Sequence, residues 1–217
     1  MQPMRLASLN VGRPRLARWH GQMVSTGIFK EPITERVMLR RLNLDGDRQA
    51  DLTVHGGRDK AVYVYPSEHY AHWRAELPEM PLPYGSFGEN FTTEGVDESL
   101  VRIGDEFRVG CARVVVTQPR QPCFKLGLRF GRADMVKRFH QRRLTGFYLA
   151  VLKEGEVGAG DAFELVRRDP NNVTVKDLYG YYSGDASTPE MLRRALRIEA
   201  LPDGWRNRFR ESLGENK

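Results

Sequence analysis

The chain is poor in cysteine and has no long hydrophobic run. Cys111 and Cys123 are the only two cysteines in 217 residues, which is too few for a disulfide framework and favours a reducing compartment. No apolar stretch is long enough to span a bilayer, and the N-terminal segment lacks the apolar core of a signal peptide. The sequence therefore predicts a cytoplasmic protein without a membrane partner.

The chain also lacks blocks of charge of one sign. Its net charge is +6, but basic residues alternate with acidic ones. From Arg168 onward there are 9 basic and 8 acidic residues, and this near-neutral tail argues against binding to nucleic acid. The basic excess lies in the first three-quarters of the chain, where it is compatible with nucleic acid, a membrane surface or a small anionic ligand.

Several common functional motifs are missing. The sequence contains no GxGxxG, no Walker loop, no CxxC pair and no HExxH, which removes the commonest nucleotide-binding and zinc-binding assignments. His69 and His72 lie three apart on a predicted helix, so a metal pair is conceivable, but the spacing is also that of an ordinary helix face. We interpret His55 as a turn residue with a local hydrogen bond.

Residues 1–167 are predicted to be mainly β. Short stretches rich in β-branched and aromatic residues alternate with turn residues, a pattern typical of an all-β sandwich or barrel. The Gly-rich segment 153–160 is predicted to connect a hairpin. Two helices are predicted to interrupt the strands, at residues 66–77 and 132–143.

Residues 168–217 are predicted to form a separate three-helix unit. Thr174 is a candidate N-cap of its first helix, and either Ser187 or Thr188, followed by Pro189, can cap the second. In the third helix Trp205, Phe209 and Leu213 are four apart and share one face.

Cys123 stands in an unusual segment, VTQPRQPCFKLG, at residues 116–127. Pro119 and Pro122 stiffen the backbone, while Arg120 and Lys125 would favour a thiolate if they point toward it. A thiolate in a stiff loop suits a metal ligand or a nucleophile. The alternative is a free cysteine that packs as a small hydrophobe. Cys111, in a strand-like run, is interpreted as structural.

Two glycine-containing stretches are further candidates. Gly56 and Gly57 allow backbone N–H groups to approach a ligand closely, and Lys60 lies just after them. The alternative for this stretch is a tight turn with solvated cations. Residues 85–95, GSFGENFTTEG, contain Glu89 and Asn90. The amide of Asn90 can read a heterocycle through a donor and an acceptor, although a plain connecting loop is the alternative.

Taken together, three stretches resemble one known family. They are D-x-T-VHGG-x-DKAVYVYP-x-EHY-x-x-W from residue 51, GENFTTEG from residue 88 and QPRQPC-x-KLG from residue 118. They are similar to the MOSC domain, named for the C-terminal part of molybdenum cofactor sulfurases. The trailing helices resemble the YiiM-like branch, which carries a 3-alpha domain. The resemblance covers nearly the whole chain and implies a MOSC β-barrel at residues 1–167 followed by the 3-alpha domain at 168–217.

The resemblance also implies a cofactor and a site. The cofactor is the molybdenum cofactor, a pterin with a dithiolene and a phosphate, and Cys123 takes the position of the cysteine that ligates the metal or carries sulfur. Motif positions near the expected pocket fall on Gly56, Gly57, Lys60, Asn90 and Arg120. Relatives reduce N-hydroxylated compounds to amines, and YiiM-like proteins are linked to detoxification of hydroxylaminopurines. We therefore expect a molybdenum-dependent reductase of such compounds.

Two further functions stay open at this point. The chain could instead be a sulfur carrier or cofactor-handling module in which Cys123 holds a persulfide. The helical unit could bind a partner, such as a docked electron donor. No cysteines remain for an iron–sulfur cluster, so a reductase of this kind needs a separate electron-donor reductase or ferredoxin. Glu89 and Tyr148 are candidate general acids, and a monomer or homodimer is expected.

Overall fold

The computed structural model describes residues 4–50 and 56–215, and it is dominated by one mixed sheet of eight strands. The strands of the chain are β1 Arg5–Val11, β2 Arg15–Trp19, β3 Gln22–Thr26, β4 Glu31–Ile33, β5 Val37–Leu39, β6 Val62–Pro66, β7 Phe91–Glu94, β8 Glu106–Val109, β9 Ala112–Pro119, β10 Phe147–Lys153, β11 Gly155–Val157 and β12 Phe163–Arg167. The helices are α1 Glu68–Glu76, α2 Phe124–Phe130, α3 Met135–Arg142, α4 Val175–Tyr182, α5 Pro189–Leu196 and α6 Asp203–Ser212, with a 3-10 turn at Arg58–Lys60. None of the described helices has the length and apolar character that crossing a bilayer requires.

The large sheet has the order β12-β8-β9-β10-β6-β7-β1-β4. All its pairs are antiparallel except β6 with β7. The sheet keeps two edge strands, so the closed barrel that the sequence predicts is unconfirmed. The segment before β12 does reach β1, since the Leu6 N–H donates to the Asp161 carbonyl at 2.8 Å and the Phe163 N–H donates to the Met4 carbonyl at 2.9 Å.

The middle of this sheet is covered on both faces. Side chains alternate along a strand, so β6 sends Val62 and Val64 into one apolar cluster and Tyr63 and Tyr65 into another. The first cluster also contains side chains of α4, α5 and α6, and the second contains side chains of α1, α2 and α3. The C-terminal helices therefore share a continuous core with the sheet, and the boundary at residues 167 and 168 stays a prediction.

The C-terminal helices begin as their sequences predict. Thr174 caps α4, accepting a hydrogen bond from the Asp177 N–H at 3.0 Å while the Asp177 carboxylate accepts from the Thr174 N–H at 2.8 Å. Thr188, rather than Ser187, caps α5, and Pro189 occupies the first helical position. On α6, Trp205 and Phe209 are buried and Leu213 packs partly against the same core.

Two local predictions are wrong. The Gly-rich segment 153–160 does not connect a hairpin, because β10 pairs with β6 and β9, while β12 pairs with β8. The segment instead forms β11, which pairs with β5. The sequence predicts two helices in residues 1–167, whereas the structure also has a third, α2, directly after Cys123.

Candidate functional site

Strand β9 delivers the cysteine segment to one end of the sheet. β9 lies between β8 and β10 and ends at Pro119, so residues 120–123 leave the sheet together before α2 begins at Phe124. Cys123 has an extended backbone and precedes the first helical residue, and its carbonyl accepts a hydrogen bond from the Leu126 N–H at 2.9 Å. Its side chain is half-buried and lines an open cleft. The rigid strand and the helix start therefore fix the thiol on both sides.

Arg120 is held rigidly beside this thiol. It is 5% exposed, and its Nη1 donates to the Tyr63 hydroxyl at 3.0 Å and to the Phe87 carbonyl at 2.8 Å. The guanidinium carbon also lies 4.6 Å from the centre of the Tyr63 ring and 5.3 Å from that of Phe139. A buried arginine stays charged, so the cleft contains a fixed positive charge next to Cys123.

The two glycines precede a short turn that positions Lys60. Gly56 and Gly57 have φ values of 95° and 81°, a left-handed conformation that favours glycine. The Lys60 N–H donates to the Gly57 carbonyl at 3.1 Å, and the Thr117 hydroxyl ties the turn to β9 by donating to the Asp59 carbonyl at 2.6 Å. Gly56 and Lys60 line the cleft, whereas Gly57 lines a neighbouring groove.

Lys60 is half-buried, and this affects its charge. Its Nζ lies 6.0 Å from the centre of the Tyr148 ring. Burial lowers the pKa of Lys60, while Asp59 and Cys123 act to raise it. The pKa of the Lys60 ammonium group is therefore lower than that of an exposed lysine, and a bound anion would raise it again.

Asn90 lines the cleft, but its amide is engaged by the protein. Its Oδ1 accepts from the Tyr63 N–H at 3.2 Å, and its Nδ2 donates to the Asp47 carboxylate at 2.9 Å and to the Asn10 carbonyl at 3.3 Å. Both ends of the amide thus hold the wall of the cleft together. This geometry favours a positioning role over the reading of a heterocycle.

A buried ion pair behind Asn90 was not predicted from the sequence. The Lys30 ammonium binds the Asp47 carboxylate, and both side chains are buried. The same carboxylate accepts from the Gly12 N–H at 2.8 Å as well as from Asn90. Lys30 lines the cleft. No sequence signal identifies this pair, because its members lie outside the three motifs and 17 residues apart from each other.

The cleft is positively charged. It measures about 680 Å³ with its open mouth included. Within residues 4–50 and 56–215, none of the residues that line the cleft is Asp or Glu. Five of the described lining residues are cationic: Lys30, Arg48, Lys60, Arg120 and Lys125. One cation is neutralised by Asp47, but the others leave a clear excess of positive charge. Such a cavity attracts anions.

Of the two candidate general acids, only Tyr148 faces the cleft. Burial raises the pKa of Tyr148, so its hydroxyl is protonated at neutral pH. Glu89 is buried behind the wall, and its carboxylate accepts hydrogen bonds from four donors: the Tyr70 hydroxyl, the Gly85 and Phe87 N–H groups and the Thr92 hydroxyl. Burial raises the pKa of Glu89, and these donors act to lower it. Glu89 is therefore an anchor of the 85–92 loop.

The remaining candidates lie elsewhere. His69 Nε2 contacts Glu98 at 2.8 Å, and His72 Nε2 contacts Glu76 at 3.0 Å, so the two histidines do not form a metal pair. Cys111 is exposed in the turn between β8 and β9, away from the cleft and outside the strand in which it was predicted. His55 lies outside the described residues.

The donor chemistry of the cleft fits a metal that is carried by an anionic organic ligand. Over the described part of the chain, no group of three or more His, Cys, Asp or Glu side chains could hold a bare metal ion. The cleft offers one thiol and several cations instead. One thiol and several cations suit a dithiolene-bound metal with a phosphate. Such a group brings most of its own metal ligands, so the protein adds one sulfur ligand and positive charge for the phosphate.

Comparison with known proteins agrees with this description. The model of the MOSC domain matches residues 51–164, and that of the YiiM-like, 3-alpha helix domain matches residues 173–213. The Bacillus subtilis (strain 168) protein YflK is 45% identical over 202 residues, which are 93% of this chain and 91% of that protein. Protein YiiM of Escherichia coli (strain K12) is 40% identical over 182 residues, 83% of this chain and 81% of that protein.

A more distant relative and a solved structure extend the comparison. A protein of Gibberella moniliformis (strain M3125 / FGSC 7600) named "Reductase" is 34% identical over 170 residues, which are 77% of this chain but only 30% of that protein. The crystal structure of YiiM from Geobacillus stearothermophilus superimposes with a TM-score of 0.80 at 32% identity, covering 97% of this chain and all of that one. The chain therefore belongs to the MOSC domain family, in its YiiM-like branch with a C-terminal 3-alpha helix domain.

Proposed function

We propose that this protein is a molybdenum-cofactor-dependent reductase that converts N-hydroxylated compounds, such as hydroxylaminopurines, to amines. The observation that carries the proposal is the cleft itself, where a half-buried thiol on a rigid segment lies among cations, with no carboxylate among the described lining residues. A relative that matches this chain over 30% of its own length is named "Reductase", which is consistent with an enzymatic role.

The chain's own residues would hold the cofactor by charge and by one sulfur ligand. The Cys123 thiolate would bind the metal, and Arg120 would bind the phosphate or the pterin oxygens through its planar fork. Lys60 would add a positive charge, and the backbone near Gly56 would allow the cofactor to approach closely. Asn90 would keep the wall in place through Asp47. Gly57, in the adjoining groove, would shape the turn rather than contact the metal.

When bound, the cofactor supplies a metal that accepts oxygen from an N–OH group and exchanges electrons. The net reaction consumes R–NHOH, two electrons and two protons, and it yields R–NH2 and water. The hydroxyl of Tyr148 is a neutral proton donor that the cleft would offer to the departing oxygen. The electrons would come from a separate electron-donor reductase or ferredoxin.

The test is to purify the full chain from a host that makes the cofactor. We expect molybdenum and pterin in near-equal amount to protein, and reduction of a hydroxylaminopurine when a chemical reductant replaces the natural donor. A protein that carries a persulfide on Cys123 without molybdenum would instead be a sulfur carrier. Neither molybdenum nor reduction, in protein from such a host, would contradict the proposal.

A further inference from the structure

A second groove opens beside the cleft, between the 3-10 turn and α6. Both are lined by Gly56, Lys60 and Gln121, so one continues into the other. The far wall of the groove comes from the C-terminal helices, through Pro202, Trp205 and Arg208. A molecule whose reacting end lies over Cys123 can therefore extend into a space that the 3-alpha domain helps to build.

The floor of this groove presents a buried amide. Gln118 is 7% exposed, and its Oε1 accepts a hydrogen bond from the Trp205 Nε1–H at 3.0 Å. An indole N–H can only donate, so the opposite end of the amide is the NH₂ group. This NH₂ has no hydrogen bond to a described residue, and it is not an enclosed atom, so it opens to the groove that Gln118 lines.

The charged residues around the groove also offer mainly hydrogen-bond donors. Among the described residues that line the groove, one is a carboxylate, Asp59, and three are cationic: Arg58, Lys60 and Arg208. Arg58 and Arg208 are exposed, and in the described parts of the chain neither forms a salt bridge. Two guanidinium forks and an amide NH₂ around one space outnumber the one carboxylate, that of Asp59, among the described lining residues. Phosphate has acceptor oxygens on every side, so it satisfies such a set better than a neutral group does.

We propose that this groove binds a phosphate monoester on the substrate, so that the enzyme acts on N-hydroxylated bases in the form of nucleoside monophosphates. The assignment of the base rests on the proposed function, whereas the binding of the phosphate rests on the groove alone. Arg58 and Arg208 grip the phosphate oxygens, the Gln118 amide donates from the floor, and the base reaches toward Cys123. The 3-alpha domain thereby becomes a specificity element of the active site.

The test uses calorimetric titration of the full-length protein with adenosine 5′-monophosphate and with adenosine. We expect the monophosphate to bind and adenosine to bind at least tenfold more weakly. Arg208→Ala removes one charge-assisted contact and should lower the affinity for the monophosphate roughly tenfold. Gln118→Glu keeps an acceptor for Trp205 but replaces the NH₂ by a negative oxygen, and it should abolish binding. Arg210→Ala, an exposed arginine of α6 outside the groove, is the matched control and should change nothing.

Three outcomes would overturn the proposal. If adenosine and its monophosphate bind equally, or if Arg208→Ala and Arg210→Ala behave alike, the groove does not read phosphate. If the monophosphate binds the cofactor-free protein but no longer binds the loaded one, the phosphate site belongs to the cofactor and not to the substrate. Because these titrations need no turnover, their failure is separate from a failure of the reductase proposal.

Discussion

The indole of Trp205 on α6 donates to the side chain of Gln118 on β9, at 3.0 Å. Gln118 is two residues before Arg120 and five before Cys123. A single buried hydrogen bond thus ties the last helix of the chain to the strand that delivers the cysteine.

Trp205→Phe should weaken this link without emptying the core. The phenyl ring fills most of the space, but the buried Gln118 oxygen loses its donor, which costs about 1–3 kcal/mol. We expect a lower melting temperature in calorimetry. Trp19→Phe is the matched control, because the Trp19 indole has no hydrogen bond to a residue that the structure describes and its ring is partly exposed. Equal losses in both variants would show that the bond contributes nothing.

Deletion of residues 168–217 should leave a folded β unit that aggregates. Removal of α4 to α6 exposes the apolar face that they cover, including Val114 and Val116, and exposed patches of this kind promote association. The Asp105 carboxylate also loses Arg168, at 2.7 Å, and the Asp169 N–H, at 2.9 Å. Circular dichroism and light scattering measure the two effects, with a chain ending at Leu213 as control. An unfolded 1–167 fragment would mean one cooperative unit and no domain boundary there.

The order of the strands and the positions of the C-terminal helices illustrate what the sequence can and cannot predict. Local signals sufficed for α4, α5 and α6, because caps such as Thr174 and the spacing of Trp205, Phe209 and Leu213 depend on nearby residues. The role of β11 was missed, since its pairing with β5 joins segments more than a hundred residues apart.

The residues of the candidate site likewise divide into those that the sequence predicts and those that it does not. The motif residues that line the cleft, Gly56, Lys60, Asn90, Arg120 and Cys123, were named from the resemblance. The Lys30–Asp47 pair was not, because a buried ion pair is defined by tertiary contact and its two residues have no periodicity or spacing of their own. The sequence also does not predict that both ends of the Asn90 amide form hydrogen bonds within the protein, since the partners come from three other segments.

Cofactor retention should fall as the pH rises, and Lys60 sets the range. The protonated ammonium binds the anion, and burial lowers the pKa of Lys60, so its charge is lost below the value near 10.4 of an ordinary lysine. The dissociation rate of the cofactor should therefore increase as the pH rises through the lowered pKa of Lys60, at a lower pH than for an exposed lysine. Lys60→Arg keeps its charge throughout and should flatten this dependence. A wild-type rate that does not change with pH would remove Lys60 from the site.

Arg120→Ala should weaken cofactor retention more than Lys60→Ala does. Tyr63 and Phe87 hold Arg120 in place through one nitrogen, Nη1, so that it offers the cofactor a fixed charge, whereas Lys60 is half-buried and burial lowers its pKa. Loss of a charge-assisted bond costs on the order of 1.5–3 kcal/mol, or roughly tenfold to a hundredfold in affinity. Arg120→Lys should not restore retention, because an ammonium cannot form the planar fork. Molybdenum content after gel filtration of the folded fraction measures this, and the opposite ranking would contradict the assignment.

The binding of molybdenum by the Cys123 thiolate is the central claim, and X-ray absorption at the molybdenum edge of the loaded protein tests it most directly. The account predicts that Cys123→Ala removes one sulfur ligand from the metal and abolishes reduction of a hydroxylaminopurine. Cys111→Ala, at the exposed turn outside the cleft, should leave both the spectrum and the activity unchanged. A molybdenum-loaded Cys123→Ala protein with the wild-type sulfur coordination and wild-type activity would contradict the account.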